Sequence, residues 1–309
     1  MVRSPRSRRF PAIVLLTFFS LFLVQPAPRS AELRAQGGAT PAPDGIAYSP
    51  NIECGKGGEQ TLLLDLAYPE GLAKPAPCVV LIHGGAWRGG KKDDALMTSL
   101  LFEFAKAGYV TASVQYRLCP KHVFPAQIED VKCAIRFLRA HADKYNIRAS
   151  KIGAVGFSAG GHLAMMLGVT GPKDELEGNG GWADQNSQVQ VVVSFFGPTD
   201  LAADDLPEQS KLLVKDFLGG TKQEKSDSYR RASPVSFLDE NDAPILMLQG
   251  TKDRLVPPTQ VYRMLDAMTS ARVRGRAEIL AGADHGWLGP DLDESKRQTF
   301  EFLARHLAP

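Results

Sequence analysis

A serine flanked by glycines is the first feature of the sequence that could do chemistry. Ser158 lies in the pentapeptide Gly156-Phe157-Ser158-Ala159-Gly160, which follows an apolar segment and precedes a segment of helical character. Between a strand and a helix, the pattern Gly-x-Ser-x-Gly forms a sharp turn that holds the serine hydroxyl outward. The positive end of the helix dipole then faces that hydroxyl. Ser158 is therefore predicted to act as a nucleophile.

A nucleophilic serine requires a base, and the base requires a carboxylate that orients it. Asp253 and His285 each follow an apolar segment, so both are expected at the carboxyl end of a strand, where open α/β sheets form their sites. The order Ser158, Asp253, His285 along the chain is that of α/β-hydrolases and differs from that of chymotrypsin or subtilisin. We predict these three residues to be the catalytic triad. Asp200 is an alternative acid, and Asp284 is expected to point away from the base beside it.

Two glycines after another apolar segment could stabilise a negatively charged oxygen. The motif His83–Trp87 (HGGAW) follows the apolar run 78–83. Glycines allow a loop to turn its backbone N–H groups into a cleft, and such a motif forms the oxyanion hole of lipases and esterases. Gly84 and Gly85 are predicted donors, together with the N–H group of Ala159.

Three neighbouring side chains have predicted roles around this chemistry. Trp87 and Trp287 are predicted to bind substrate as walls of the pocket, although Trp87 could instead be an ordinary core aromatic residue. His83 is expected to brace its loop and not to act as the base. His162, one turn into the helix after Ser158, is expected to pack there.

The elements that must position these residues alternate between strands and helices. Predicted strands are short apolar runs, as expected when both faces of a sheet are buried. They cover residues 61–68, 78–83, 109–116, 152–157, 189–196, 244–249 and 277–281. Helical spacing of apolar residues falls between them, which predicts a mostly parallel twisted sheet with helices on both faces.

Two segments fit this alternation poorly. Residues 171–187 are polar and rich in glycine, and residues 201–238 contain one plausible helix near 210–218. Long insertions in compact domains are often functional loops or lids. We therefore predict both to be short cap insertions over the site.

Composition excludes several other classes of protein. Of the 309 residues, 44% are hydrophobic and 23% are charged, which is typical of a globular protein. The 36 Lys and Arg residues nearly balance the 34 Asp and Glu residues. Nucleic-acid binding requires concentrated basic charge, so no nucleic-acid partner is predicted.

The N-terminus resembles a targeting segment. Residues 1–10 contain four arginines, and residues 11–24 are largely apolar, which is the form of a secretory signal. We predict a signal peptide at about 1–30, a flexible linker at 31–50 and a catalytic domain at 51–309. Export to the periplasm or the extracellular space follows, without stable membrane association after cleavage. A retained N-terminal membrane anchor is the alternative, and Arg8-Arg9 is a weak twin-arginine signal.

The four cysteines leave two alternatives open. Cys54, Cys78, Cys119 and Cys133 could form up to two disulfides in an exported chain, or could be small buried hydrophobic residues. Their spacing gives no support to a zinc site. No metal and no cofactor are predicted.

Taken together, these motifs resemble those of α/β-hydrolase esterases of the hormone-sensitive-lipase and bacterial dienelactone/feruloyl-esterase-like kind. The likeness spans about residues 46–307 and also includes Tyr116–Pro120, Phe124–Ala126 and Asp130. It implies the α/β-hydrolase fold and a structural ion pair between Arg117 and Asp130. Ala86 stands where the lipase motif has a third glycine, and this version is similar to short-acyl, feruloyl and acetylxylan esterases and to kynurenine formamidases.

The predicted function is therefore that of an exported serine carboxylesterase with a small-molecule or carbohydrate ester as its substrate. An acyl-enzyme would form on Ser158 and be hydrolysed by water. Two alternatives remain: an amide hydrolase of the same fold, either a formamidase or a peptidase, and a binding domain without catalysis. Oligomeric state does not follow from the sequence.

Overall fold

The computed structural model describes residues 41–307, so the predicted signal peptide and the first half of the predicted linker lie outside the described residues. The strands are β1 (Ile46–Gly57), β2 (Gln60–Pro69), β3 (Ala76–Ile82), β4 (Val110–Val114), β5 (Ile147–Phe157), β6 (Val191–Phe195), β7 (Ile245–Gly250) and β8 (Gly275–Leu280). The helices are α1 (Ala95–Lys106), α2 (Ala126–Ala140), α3 (Ala159–Val169), α4 (Glu208–Leu218), α5 (Ser226–Arg231), α6 (Thr259–Ala271) and α7 (Pro290–Leu307). Among residues 41–307, no helix combines the length and the apolar character needed to cross a membrane.

The eight strands form one sheet in the order β1-β2-β4-β3-β5-β6-β7-β8. Strand β2 pairs antiparallel with β1 and with β4, and every other pairing is parallel. This is the predicted mostly parallel sheet of the α/β-hydrolase fold. Because β5, β7 and β8 run in the same direction, the segments that follow them emerge at one edge of the sheet.

Helices cover both faces of the sheet. Along β3, Cys78, Val80 and Ile82 face the core that contains α2 and α3. Val79 and Leu81 alternate with them and face the core that contains α1 and α7. The central strands are therefore buried on both faces, which is why they are continuous apolar runs in the sequence.

The first strand corrects the predicted domain boundary. Residues 46–50 were assigned to the linker but begin β1, in which Ile46 pairs with Pro69 of β2. The strand lies at the edge of the sheet, carries Pro50 and has two irregularities in its register. An edge strand of this kind lacks the apolar run that identifies the central strands.

The segment 171–187 does not cap the site, contrary to the prediction. Glu177 accepts hydrogen bonds from Lys132 Nζ at 2.6 Å and from Arg136 Nη1 at 2.8 Å, both on α2. Trp182 Nε1 donates to the main-chain oxygen of Cys54 on β1 at 2.8 Å. The segment thus packs against α2 and β1, and none of its residues lines the cavity that contains Ser158.

All four cysteines are free and buried. The thiol of Cys54 donates to the main-chain oxygen of Leu62, and the thiol of Cys133 donates to that of Cys54. Burial raises the pKa of Cys119 to about 11, so this thiol is protonated at neutral pH. Of the two alternatives for the cysteines, the structure has the buried thiols.

Candidate active site

The turn at Ser158 joins β5 to α3. Ser158 has a φ of 53° and a ψ of −118°, which is a strained conformation for a residue other than glycine. The turn needs glycine on both sides, because a Cβ at Gly156 would overlap the main-chain oxygen of Gly160, and one at Gly160 would overlap that of Ile82. Strain of this kind costs on the order of 1–3 kcal/mol and persists only where the surrounding structure holds it.

The structure brings the three predicted triad residues together. His285 Nε2 lies 2.9 Å from Ser158 Oγ, and His285 Nδ1 lies 2.8 Å from Asp253 Oδ2. Asp253 is buried, whereas the side chain of His285 keeps 17% of its surface exposed. His285 therefore contacts Asp253 through Nδ1 and the hydroxyl of Ser158 through Nε2.

The carboxylate of Asp253 accepts hydrogen bonds from four donors. Its Oδ1 accepts the backbone N–H groups of Leu255 at 2.9 Å and Val256 at 2.8 Å. Its Oδ2 accepts from His285 and, at 2.9 Å, from Nε2 of the buried Gln249. These donors fix the carboxylate, which in turn places the proton of His285 on Nδ1 and leaves Nε2 free to accept the serine proton. Sequence reasoning missed Gln249, because a polar residue inside a strand has no distinctive pattern.

Asp284 and Asp200, the two other carboxylates considered for the acid, lie outside the hydrogen-bonded chain of Asp253, His285 and Ser158. Asp284 is exposed, and its Oδ1 accepts the backbone N–H group of His285 at 2.8 Å. That bond lowers the pKa of Asp284. Asp200 Oδ1 accepts the N–H group of Ala202, and its Oδ2 lies 3.8 Å from Arg263 Nε. The prediction that Asp284 points away from the base is thus confirmed.

The glycine loop after β3 has the unusual backbone that an oxyanion hole requires. Gly85 has a φ of 111°, and a Cβ there would overlap the main-chain oxygen of Gly89. Ala86 and Trp87 also have positive φ values, of 51° and 57°. The predicted donors are the N–H groups of Gly84, Gly85 and Ala159, three residues that line the same cavity as Ser158. Within residues 41–307, these N–H groups donate to no other protein group.

Trp87 is both a wall of the cavity and a buried aromatic residue. Only 3% of its surface is exposed, and its ring stacks on Phe217 of α4 with 4.3 Å between centroids. Its Nε1 donates to Nδ1 of His162 at 3.2 Å, and His162 Nε2 donates to the main-chain oxygen of Ala232 at 2.6 Å. Burial lowers the pKa of His162 to about 4, so the ring is neutral at pH 7. His162 packs behind the loop, as predicted.

His83 braces the loop, as predicted. Its ring stacks on Tyr116 at 4.3 Å, and its Nδ1 donates to the main-chain oxygen of Gly84 at 2.8 Å. The Tyr116 hydroxyl donates to the main-chain oxygen of His83 at 3.0 Å. Burial lowers the pKa of His83, so this ring is neutral at pH 7. The predicted ion pair behind the site is also present, with Arg117 Nη2 2.7 Å from Asp130 Oδ1.

Ser158 opens into a cavity of about 490 Å³, within the range of roughly 300–1,000 Å³ typical of small-molecule sites. Leu206, Ser210, Leu213 and Val214 line this cavity, which confirms that the segment 201–238 covers the site. Its helix α4 is held on both sides, since Gln209 and Ser210 donate to the loop that follows Asp253 and Phe217 stacks on Trp87. The cavity lining is mainly apolar and includes Leu96, Met97, Phe196, Pro198, Leu206, Leu213, Val214, Leu255 and Val256.

Trp287 does not line this cavity, contrary to the prediction. Its Nε1 donates to Ser295 Oγ at 2.9 Å, and its ring contacts Phe196 edge-on with 5.1 Å between centroids. It lines a neighbouring cavity instead. The aromatic residue that faces the triad is Phe196, whose ring centroid lies 4.7 Å from that of His285. Sequence reasoning did not single out Phe196, because a phenylalanine at the end of an apolar strand has the pattern of a core residue.

The arrangement can transfer an acyl group. A serine hydroxyl contacts an imidazole, a fixed carboxylate orients that imidazole, and the residues that carry the predicted N–H donors line the same cavity as the serine. These are the parts that acyl transfer through a covalent intermediate requires. The fold and the site together define the class of α/β-hydrolases.

Comparison with known proteins gives the family. The BD-FAE family model matches residues 64–268, and the chain belongs to that family. Two relatives from Mycobacterium tuberculosis are esterase LipC, 31% identical over 226 residues, and the probable carboxylic ester hydrolase LipM, 31% identical over 200 residues. These alignments cover 69% and 64% of this chain but 54% and 46% of the relatives. The chain thus spans about half the length of these relatives.

Solved structures are similar over nearly their whole length. A truncated carbohydrate esterase from gut microbiota superposes with a TM-score of 0.78 at 27% identity, covering 87% of this chain and 99% of that one. The esterase Est2 of Thermogutta terrifontis superposes with a TM-score of 0.72 at 25% identity, covering 86% of this chain and 95% of that one. Both likenesses agree with an α/β-hydrolase of the esterase kind.

Proposed function

We propose that this protein is a serine carboxylesterase that hydrolyses short-acyl or carbohydrate-linked esters, of the acetyl or feruloyl type. The observation that carries the proposal is the continuous hydrogen-bonded chain from Asp253 through His285 to Ser158 at the floor of an apolar cavity. Relatives named as esterases, a carboxylic ester hydrolase and a carbohydrate esterase support it.

The mechanism follows from the atoms that are in contact. Ser158 Oγ attacks the ester carbonyl carbon while its proton moves to His285 Nε2. The carbonyl oxygen becomes negatively charged and accepts hydrogen bonds from Gly84, Gly85 and Ala159. The bond between the carbonyl carbon and the alcohol oxygen then breaks, and the alcohol leaves with the proton of His285.

The same groups hydrolyse the acyl-enzyme, with water in the place of the alcohol. Water gives a proton to His285 Nε2 and attacks the acyl carbon, and the second tetrahedral intermediate uses the same oxyanion hole. Its collapse returns the proton to Ser158 Oγ and releases the carboxylic acid. Asp253 stabilises the protonated imidazole in both halves of the reaction.

The cavity lining supports the choice of substrate. The residues that line the cavity are mostly apolar or glycine. The polar exceptions are Ser158, the two histidines, Asp94 and Ser210. Such a lining favours small apolar acyl groups over charged ones. We also propose that the protein is exported, on the basis of the basic and then apolar residues 1–24.

A series of p-nitrophenyl esters from acetyl to palmitoyl tests the proposed function. We expect kcat/KM to be highest at acetyl or butyryl and to be at least about 100-fold lower at palmitoyl, as the proposed preference for short acyl groups requires. The matched amide, p-nitroacetanilide, is the control for amide hydrolysis. Wild-type rates equal to those of Ser158→Ala on every ester, or a faster rate on the amide, would contradict the proposal.

A further inference from the structure

A second cavity of about 370 Å³ lies beside the catalytic one. Leu96, Phe157 and Phe196 line both cavities, so they form the wall between them. The rest of the lining of the second cavity comes from β6, the segment after His285 and the start of α7. These lining residues are Phe195, Gly286, Trp287, Leu288 and Leu292.

Phe196 is the part of this wall whose ring contacts the ring of His285. Its ring packs against the rings of His285 and Trp287, with 4.7 Å and 5.1 Å between centroids. A Cβ added at Gly286 would lie 3.9 Å from Cζ of Phe196, so the tip of the phenyl ring reaches the backbone beside the catalytic histidine. Phe157 belongs to β5 and Leu96 belongs to α1, so each of these is fixed by its own element of the fold.

The backbone at Phe196 fixes the direction of this ring. Its φ is 42°, which is a costly conformation for a bulky residue, and its N–H group donates to the main-chain oxygen of Leu248 at 2.8 Å. Phe157 lies across from it with 6.3 Å between ring centroids. Neighbours on several sides therefore hold Phe196 in place between the two cavities.

We propose that Phe196 is a specificity-determining residue, which separates the two cavities and thereby limits the length of the apolar group that the site accepts. The inference rests on the proposed esterase function and adds the reason for its preference for short chains. The group excluded is the distal part of an alkyl chain, because every residue that lines the second cavity is apolar or glycine. Such a chain can belong to the acyl part or to the alcohol part of the ester.

Phe196→Ala tests the proposal by joining the two cavities. Two ester series distinguish the acyl part from the alcohol part: p-nitrophenyl butyrate against octanoate, and butyl acetate against octyl acetate. We expect the long-to-short ratio of kcat/KM to rise at least about tenfold in one series, since one methylene in an apolar pocket already changes kcat/KM by roughly tenfold. A disturbance of His285 lowers the rates of both esters and cancels in the ratio.

A second substitution reverses the effect if the gain comes from the second cavity. Leu288 lines that cavity and is 82% exposed, so the larger ring of Leu288→Trp has room there, and we expect it to pack on the apolar lining and reduce the open volume. We expect the double variant to return the ratio to within about threefold of wild type. The matched control is Leu213→Ala, which enlarges the catalytic cavity from α4, and Leu288→Trp should not reverse its effect.

The outcomes separate this inference from the function on which it rests. If Phe196→Ala does not fold, as judged by its melting transition, Phe196→Leu shortens the same wall and is measured instead. A wild-type esterase whose folded variants keep both ratios within twofold would overturn the role of Phe196 alone, as would a rise that Leu288→Trp leaves in place. A wild-type protein that hydrolyses none of these esters overturns the proposed function and this role with it.

Discussion

Ser158→Ala is expected to lower kcat/KM for p-nitrophenyl butyrate by at least about 10⁴-fold, because no acyl-enzyme can form without Oγ. The substitution removes a single hydroxyl group, which donates one hydrogen bond, to His285 Nε2. The strained turn keeps its glycines, so the fold and the cavity should stay intact. Steady-state kinetics with active protein at high concentration measure the residual rate.

Ser187→Ala is the matched control for this loss. Ser187 is buried, and its hydroxyl donates to Glu177 in the segment that packs on α2, away from the catalytic cavity. We expect its kcat/KM to stay within about threefold of wild type. If Ser158→Ala kept more than a tenth of the wild-type value, Ser158 would not be the nucleophile.

Asp253→Asn is expected to lower kcat by about 10³–10⁴-fold with little change in KM. The asparagine Oδ1 can still accept the N–H groups of Leu255 and Val256. Its amide NH₂ then faces His285 Nδ1 and favours the tautomer with the proton on Nε2. That tautomer cannot accept the proton of Ser158, so the base is lost, and the bond from Gln249 Nε2 is lost with it.

Asp284→Asn is the matched control for the acid. Asp284 is the carboxylate next to His285 in sequence, and an asparagine Oδ1 can still accept the N–H group of His285. We expect less than a tenfold change in kcat. Equal losses in the two variants would show that the acid has been assigned to the wrong residue.

The proximity of the proposed catalytic residues could be predicted because each follows an apolar strand within a short motif. Ser158, Asp253 and His285 lie after β5, β7 and β8, and parallel strands bring their carboxyl ends to one edge of the sheet. Gly84 and Gly85 follow β3 in the same way. Periodicity and motif therefore determine where the nucleophile, the base and the acid meet.

The shape of the cavity could not be predicted in the same way, because segments far apart in sequence build it. Phe196 and Trp287 are both aromatic residues near a strand end, and only their packing shows that the first faces His285 while the second lies behind it. Gln249 is a single polar residue in an apolar strand, so its bond to Asp253 has no signal in the sequence.

Composition also does not indicate the direction in which a surface segment packs. The polar segment 171–187 and the segment 201–238 both interrupt the alternation of strands and helices, yet only the second covers the site. The reason lies in individual contacts: Glu177 binds two basic residues of α2, whereas Phe217 of α4 stacks on Trp87 beside the catalytic cavity. Similarly, β1 was assigned in part to the linker because edge strands have weak apolar patterns.

Covalent labelling with a phosphate ester tests directly whether Ser158 is the nucleophile. The protein is treated with diethyl p-nitrophenyl phosphate, its intact mass is measured, and the modified peptide is identified by fragmentation. We expect one diethylphosphoryl group per chain, on Ser158, with esterase activity lost in proportion to labelling and no adduct in Ser158→Ala. An adduct on another residue, or full activity in a protein whose Ser158 is labelled, would contradict the claim that Ser158 is the nucleophile.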